Sequence, residues 1–125
     1  MPQARISVGV DGGPGGWGAL AWAIEEAMLR RARLHVIHCG TSAAVTETAH
    51  GRVLSCAPNV EVIAEITDKP APVALLEAAR HSGIVVAGPP SASRQFSELL
   101  SRSTALHVAI RAHRPVVIAH QRPST

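Results

Sequence analysis

Aromatic side chains are almost missing from this chain. Its 125 residues hold no tyrosine, one phenylalanine (Phe96) and two tryptophans (Trp17, Trp22). That excludes the RNA-binding modules that stack bases on exposed aromatics, and it leaves Ala, Val, Leu and Ile to fill the core. Lysine is nearly absent too: eleven of the twelve basic residues are arginine and Lys69 stands alone. The net charge is only +3, and the basic residues are spread along the chain rather than gathered on one face, so no nucleic-acid partner is expected. The cluster Arg30, Arg31 and Arg33 falls where a helix should end, where cations suit the helix dipole, and reads as a solvated helix terminus. With two cysteines, Cys39 and Cys56, a disulfide framework is excluded. No apolar run approaches the roughly 20 residues of a membrane span. The opening Met-Pro-Gln-Ala-Arg lacks a signal-peptide core, so a cytoplasmic protein with reduced thiols is expected.

What is present is an ordinary globular balance, 46% hydrophobic and 17% charged, at a length that suits one domain over 1–125. Short β-rich runs alternate with helical stretches. Ile6 to Val10 reads as a first strand, stopped by Asp11-Gly12-Gly13-Pro14-Gly15-Gly16. A helix from about Gly16 to Arg31 places Trp17, Leu20, Ala21, Ile24, Ala27 and Met28 on one stripe. Leu34 to Cys39 is a second strand. Gly40 to Asn59 is left open between a short helix and a loop, because polar and β-branched residues dilute its pattern. Val60 to Ile66 alternates apolar residues with Glu61 and Glu65, the mark of a half-exposed strand at a sheet edge. Asp68 is placed to cap the next helix, which has Pro70 and Pro72 in its first turn and runs to about Arg80. Ile84 to Gly88 is wholly apolar, as a central strand is, and Pro89 and Pro90 stop it. A helix over about Phe96 to Arg111, a last strand from Pro115 to Ala119 and a fraying tail at 121–125 complete the reading. Such alternation implies an α/β fold with an open parallel sheet of five strands covered by helices on both faces.

In such a sheet, ligands bind beyond the carboxyl ends of the strands. Two loops there carry suitable chemistry. The first is Asp11 with its glycines; the second is Gly88-Pro89-Pro90-Ser91-Ala92-Ser93-Arg94. Glycines let a ligand approach the backbone closely, while hydroxyls, Arg94 and a helix start supply donors for phosphate oxygens. Other chemistry finds less support. His38, Cys39, His50 and Cys56 lack the close paired spacing of a zinc site. No serine sits in a Gly-x-Ser-x-Gly elbow. An aspartyl phospho-acceptor domain would also need an aspartate at the end of its third strand and a lysine near the last strand, and the only lysine here is Lys69.

The segments Ile6-Ser7-Val8-Gly9-Val10-Asp11-Gly12-Gly13, Ala19-Leu20-Ala21-Trp22-Ala23 and Leu34-His35-Val36-Ile37-His38 resemble the opening of the universal stress protein family. Pro70-Ala71, Leu75-Leu76-Glu77-Ala78-Ala79, Ile84 to Gly88, Leu99-Leu100, Ser103, His107-Val108 and Pro115-Val116-Val117 follow the family in order. The resemblance implies strand order 3-2-1-4-5, an adenine nucleotide α-hydrolase-like fold, and a homodimer joined through the last strand, Pro115 to Ala119. It also implies an ATP site, with magnesium accompanying the nucleotide. Adenine and ribose would lie near Asp11, Gly12, Gly13 and His38, and phosphates on a glycine motif after strand 4. Gly88 keeps that motif's first glycine and Ser103 its final hydroxyl. Ser91 or Ala92 replaces the second glycine and Arg102 the third, while Ser93 adds a hydroxyl. Pro89 and Pro90 remove two N–H donors. The resulting expectation is a non-catalytic, dimeric stress-response protein with a degenerate ATP motif. The alternative is a working adenine-nucleotide-binding regulator, and a small enzyme of the same architecture, such as a weak ATPase, is a third reading.

Overall fold

The computed structural model describes residues 4–87 and, as backbone, the strand at 116–118. Its elements in chain order are β1 (Arg5–Gly9), α1 (Pro14–Arg30), β2 (Arg33–Cys39), α2 (Ala43–Cys56), β3 (Val62–Thr67), α3 (Ala71–Ala79), β4 (Ile84–Ala87) and β5 (Val116–Ile118). The strands pair in parallel in the order β3-β2-β1-β4-β5. The expected α/β fold and strand order are therefore present. The expected helix at 96–111 and the tail lie outside the described residues.

Alternation along the strands divides the sheet's side chains between two cores. Ile6, Val8 and Val10 join Leu34, Val36, Ile84 and Val86 beneath α1 and α2. On the other face, Ile37 and Val85 pack against Ala74, Leu75, Ala78 and Ala79 of α3. β1 and β4 are buried on both sides, which is why their sequences read as near-continuous apolar runs.

Several local readings change. The buried face of α1 is Gly15, Gly16, Ala19, Leu20, Ala23, Ile24 and Ala27, while Ala21 and Met28 face solvent. Small residues let the helix approach the sheet closely, so the alanine row, rather than the bulkier one, faces inward. The open segment contains a 14-residue helix, α2, whose buried contacts are only Ala49 and Val53, hence its diluted pattern. Asp68 does not cap α3. Pro70 is the N-cap, with no side-chain bond, and Pro72 brings no N–H to the first turn, so little is left to cap. The arginine cluster splits: Arg30 ends α1 and pairs with Glu26 at 2.7 Å, Arg31 caps it in the left-handed region (φ 52°), and Arg33 starts β2 half-buried.

Candidate functional site at the carboxyl ends of the strands

The turn from β1 to α1 is shaped by its own side chain. The amide of Val10 still bonds to the Ile37 carbonyl at 2.9 Å, so the strand's direction persists one residue past β1. Asp11 then accepts a bond from the Gly13 amide on Oδ1 at 2.9 Å, a local aspartate turn. Gly12 has φ +93°, a conformation that suits glycine, and a Cβ there would meet Val45 Cγ2 of α2 at 3.0 Å. Gly13 is extended and starts α1 without a side-chain cap, and Pro14 takes the first helical position. Gly16 brings α1 against this turn: a Cβ there would stand 2.9 Å from Asp11 Oδ1 and 3.2 Å from Val10 Cα.

The end of β2 locks onto the same turn. His38 is 5% exposed, and its Nδ1 donates to the Val10 carbonyl at 2.9 Å. Its Nε2 lies 2.7 Å from where a Cβ on Gly40 would be, so Gly40 keeps the space that the ring occupies. The Gly40 amide bonds to Thr67 at 2.9 Å, tying β2 to β3. Cys39 is half-buried, and its thiol pKa is raised by burial first and by the Glu65 carboxylate second. Above the crevice, Arg52 of α2 lies 4.3 Å from the ring centroid of the half-buried Trp17 and clasps α1 to α2.

Gly9 is the register partner of Ala87, so the turn at Asp11 starts beside the end of β4. Of the predicted site residues, Asp11, Gly12, Gly13 and His38 are thus brought to one rim, with the His38 imidazole engaged inward. Gly88, Ser91, Ser93, Arg102 and Ser103 lie outside the described residues. Sequence reasoning missed Gly16 and Gly40 as spacers; Gly40, two residues past His38 at a strand end, was the available signal. Among the described residues, no three His, Cys, Asp or Glu groups converge as a metal would need. Cys56 is exposed and lines a cleft of about 480 Å³ with Met28, Ala32 and Val60 at the opposite end of the sheet.

A polar chain crosses the sheet on the α3 side. Ser82 Oγ donates to the Ala78 carbonyl at 2.7 Å, which makes Ser7 the donor to Ser82. Ser7 Oγ lies 3.5 Å from His35 Nδ1, and His35 Nε2 is 2.9 Å from Glu65 Oε1. The composition is that of a hydrolytic triad, but Ser7 is 0% exposed and its hydrogen is spent on Ser82, so it offers no nucleophile. The His35 pKa is lowered, chiefly by burial, against the pull of Glu65 and with help from Arg5.

Neither a family model nor a curated protein matches the chain. Solved structures do. A universal stress protein in complex with cAMP superimposes at a TM-score of 0.73 with 25% identity, covering 96% of this chain and 98% of its own. The chain has the universal stress protein fold. A second such protein, from Archaeoglobus fulgidus in complex with dAMP, matches at 0.71 with 20% identity over 95% of this chain and 99% of its own. A universal stress protein family member from Arabidopsis thaliana with AMP bound matches at 0.66 with 14% identity over 95% and 92%. Among the described residues of this universal stress fold, no helix is long and apolar enough to cross a membrane.

Proposed function

We infer that the chain is a non-catalytic regulatory protein of the universal stress type that takes an adenine nucleotide at the crevice beyond β1, β2 and β4. The observation that carries this reading is the aspartate–glycine turn at Asp11–Gly13, rigidly seated by Gly16 and by His38, starting beside the end of β4. Asp11 is the acceptor for ribose hydroxyls, and Gly12 and Gly13 let the nucleoside approach the backbone. His38 is a positioning residue, holding the Val10 carbonyl from below.

The nucleotide class is AMP-like rather than ATP. Three relatives in fold hold AMP, dAMP or cAMP. In this sequence Pro89 and Pro90 offer no amide donor, and Arg102 stands in place of a glycine. Each lost buried donor costs a polyphosphate about 1–3 kcal/mol of cradling, while a single phosphate needs few donors. Asp11 Oδ1 is turned back onto Gly13, which fits sugar recognition better than a magnesium polyphosphate. The second element of the reading is a homodimer through β5, which stands at an edge of the sheet.

Mass spectrometry of the freshly purified protein, followed by calorimetry with AMP and ATP, tests the reading. AMP binding in the micromolar range, weakened in Asp11→Ala, is expected. ATP binding tighter than AMP overturns the AMP preference, and no binding of either at millimolar concentration overturns the site. Steady ATP hydrolysis abolished by Asp11→Ala overturns the non-catalytic assignment.

A further inference from the structure

Strand register sets two arginines side by side at the amino-terminal edge of the sheet. Arg5 begins β1, Arg33 begins β2, and they are register partners. Their successors Ile6 and Leu34 point into the α1/α2 core, so Arg5 and Arg33 project from the α3 side. Adjacent strands lie about 4.8 Å apart, and like charges at that spacing repel. Among the described residues no acid pairs with either: the carboxylates that pair are Glu26 with Arg30, Glu65 with the His35 ring and Glu77 with Lys69. Both arginines are half-buried, and Nε of Arg33 is buried with no hydrogen-bond partner.

The surroundings hold little negative charge among the described residues. His35 follows two residues along β2 on the same face, paired with Glu65 on β3. The chain leaving α3 passes Arg5, the Gly83 amide bonding to the Arg5 carbonyl at 2.9 Å, and carries exposed Arg80 and His81 just before it. Among the described residues the one acid at this edge is Glu61, beside Arg33, whose carbonyl accepts from the Leu34 amide; it is exposed and makes no ion pair with Arg33.

We propose that Arg5 and Arg33 form an oxyanion site for a tetrahedral, phosphate-class dianion, at the opposite end of the sheet from the nucleotide crevice. Packing of the half-buried stem sets the position of the Arg33 guanidinium, whose Nε meets no protein acceptor, and the terminal nitrogens of the two guanidiniums face the ligand. Two forks one strand apart need a ligand with an oxygen pair for each, which a phosphate has and a carboxylate lacks. Its double charge also matches two unpaired cations. Because the guanidiniums are partly withdrawn from water, the pairing is screened less than on an open surface. The site is independent of the nucleotide reading and stands or falls separately.

The test is an inorganic phosphate titration followed on the arginine Nε–H signals by NMR, with chloride holding ionic strength at about 0.1 M. It is run on adenosine-saturated protein, so that the crevice is filled by a nucleoside that brings no phosphate of its own to the arginines. The Arg5 and Arg33 signals, assigned with Arg5→Gln and Arg33→Gln, should shift together and saturate in the millimolar range. Arg5→Gln should weaken binding by about ten-fold, and Glu61→Gln should tighten it several-fold. Phosphate should also raise the melting midpoint of the parent and not of Arg5→Gln, which keeps the test decisive if Arg33→Gln fails to fold. An Arg33 signal that phosphate leaves unmoved overturns the site. So does a response equal in Arg5→Gln, or one that adenosine abolishes. An Arg33 signal that shifts on Glu61→Gln alone and then ignores phosphate reveals an internal Arg33–Glu61 pair and overturns it too.

Discussion

His35 on β2 reaches across to Glu65 on the edge strand β3, Nε2 to Oε1 at 2.9 Å, while its other nitrogen faces the fully buried Ser7. The pKa of the ring is lowered in the folded chain, with burial the leading cause and Arg5 adding to it, against Glu65. A base with a lowered folded pKa binds fewer protons folded than unfolded. Its contribution is therefore flat above the unfolded value of about 6.5, and stability falls as pH drops below it. Urea midpoints between about pH 7.5 and about pH 5 should decline, and His35→Gln should lessen the decline. Glu65→Gln removes the raising influence, so the His35 titration seen by NMR should move lower still. A move upward would refute the assignment of causes.

Two glycine-to-alanine changes should have opposite signs. At Gly16 the new methyl meets the Asp11 carboxylate and the backbone of Val10 and Asp11, so Gly16→Ala should cost about 1–3 kcal/mol and weaken AMP binding. Gly51 lies inside α2 with nothing near its would-be Cβ, so Gly51→Ala should stabilise by about 0.5–1 kcal/mol and leave binding alone. Denaturant titration of both variants checks the pair.

Gly40 and His38 share one volume. Gly40→Ala should push the imidazole off the Val10 carbonyl, leaving a buried acceptor unmet at a cost of about 1–3 kcal/mol. Adding His38→Ala to it should restore part of the loss, because the clash disappears with the ring. A double-mutant cycle showing strict additivity would separate the two residues.

The outermost position of β5 leads to an association prediction. Light scattering during size-exclusion chromatography should return twice the 13.1 kDa chain mass at micromolar concentration. A peak at the single-chain mass would rule out the dimer.

The architecture was legible because its signals are redundant. β1 and β4 are buried on both faces, so Ile84, Val85 and Val86 in succession all report burial. Elements covered on one side report less. α2 buries only Ala49 and Val53, too few to reveal a period, and the alternation of β3 breaks at Ile66, which is 44% exposed. The site was legible only in part. Asp11 and its glycines announce a turn, but the neighbours that seat the turn, Gly16 and Gly40, act through space that they leave empty. No side chain marks such a role in a sequence. The unpaired Arg33 was hidden for another reason: three arginines in a row of four residues look alike until the helix ends between them and sends each to a different environment.

The two thiols lie at different ends and in different surroundings, Cys56 in open solvent at the foot of α2 and Cys39 half-withdrawn with its ionisation suppressed. A brief maleimide reaction near neutral pH would therefore tag one position without mutagenesis. A dye so attached sits remote from the Asp11 turn, and its signal could follow ligand capture in the native chain while leaving the capturing groups untouched.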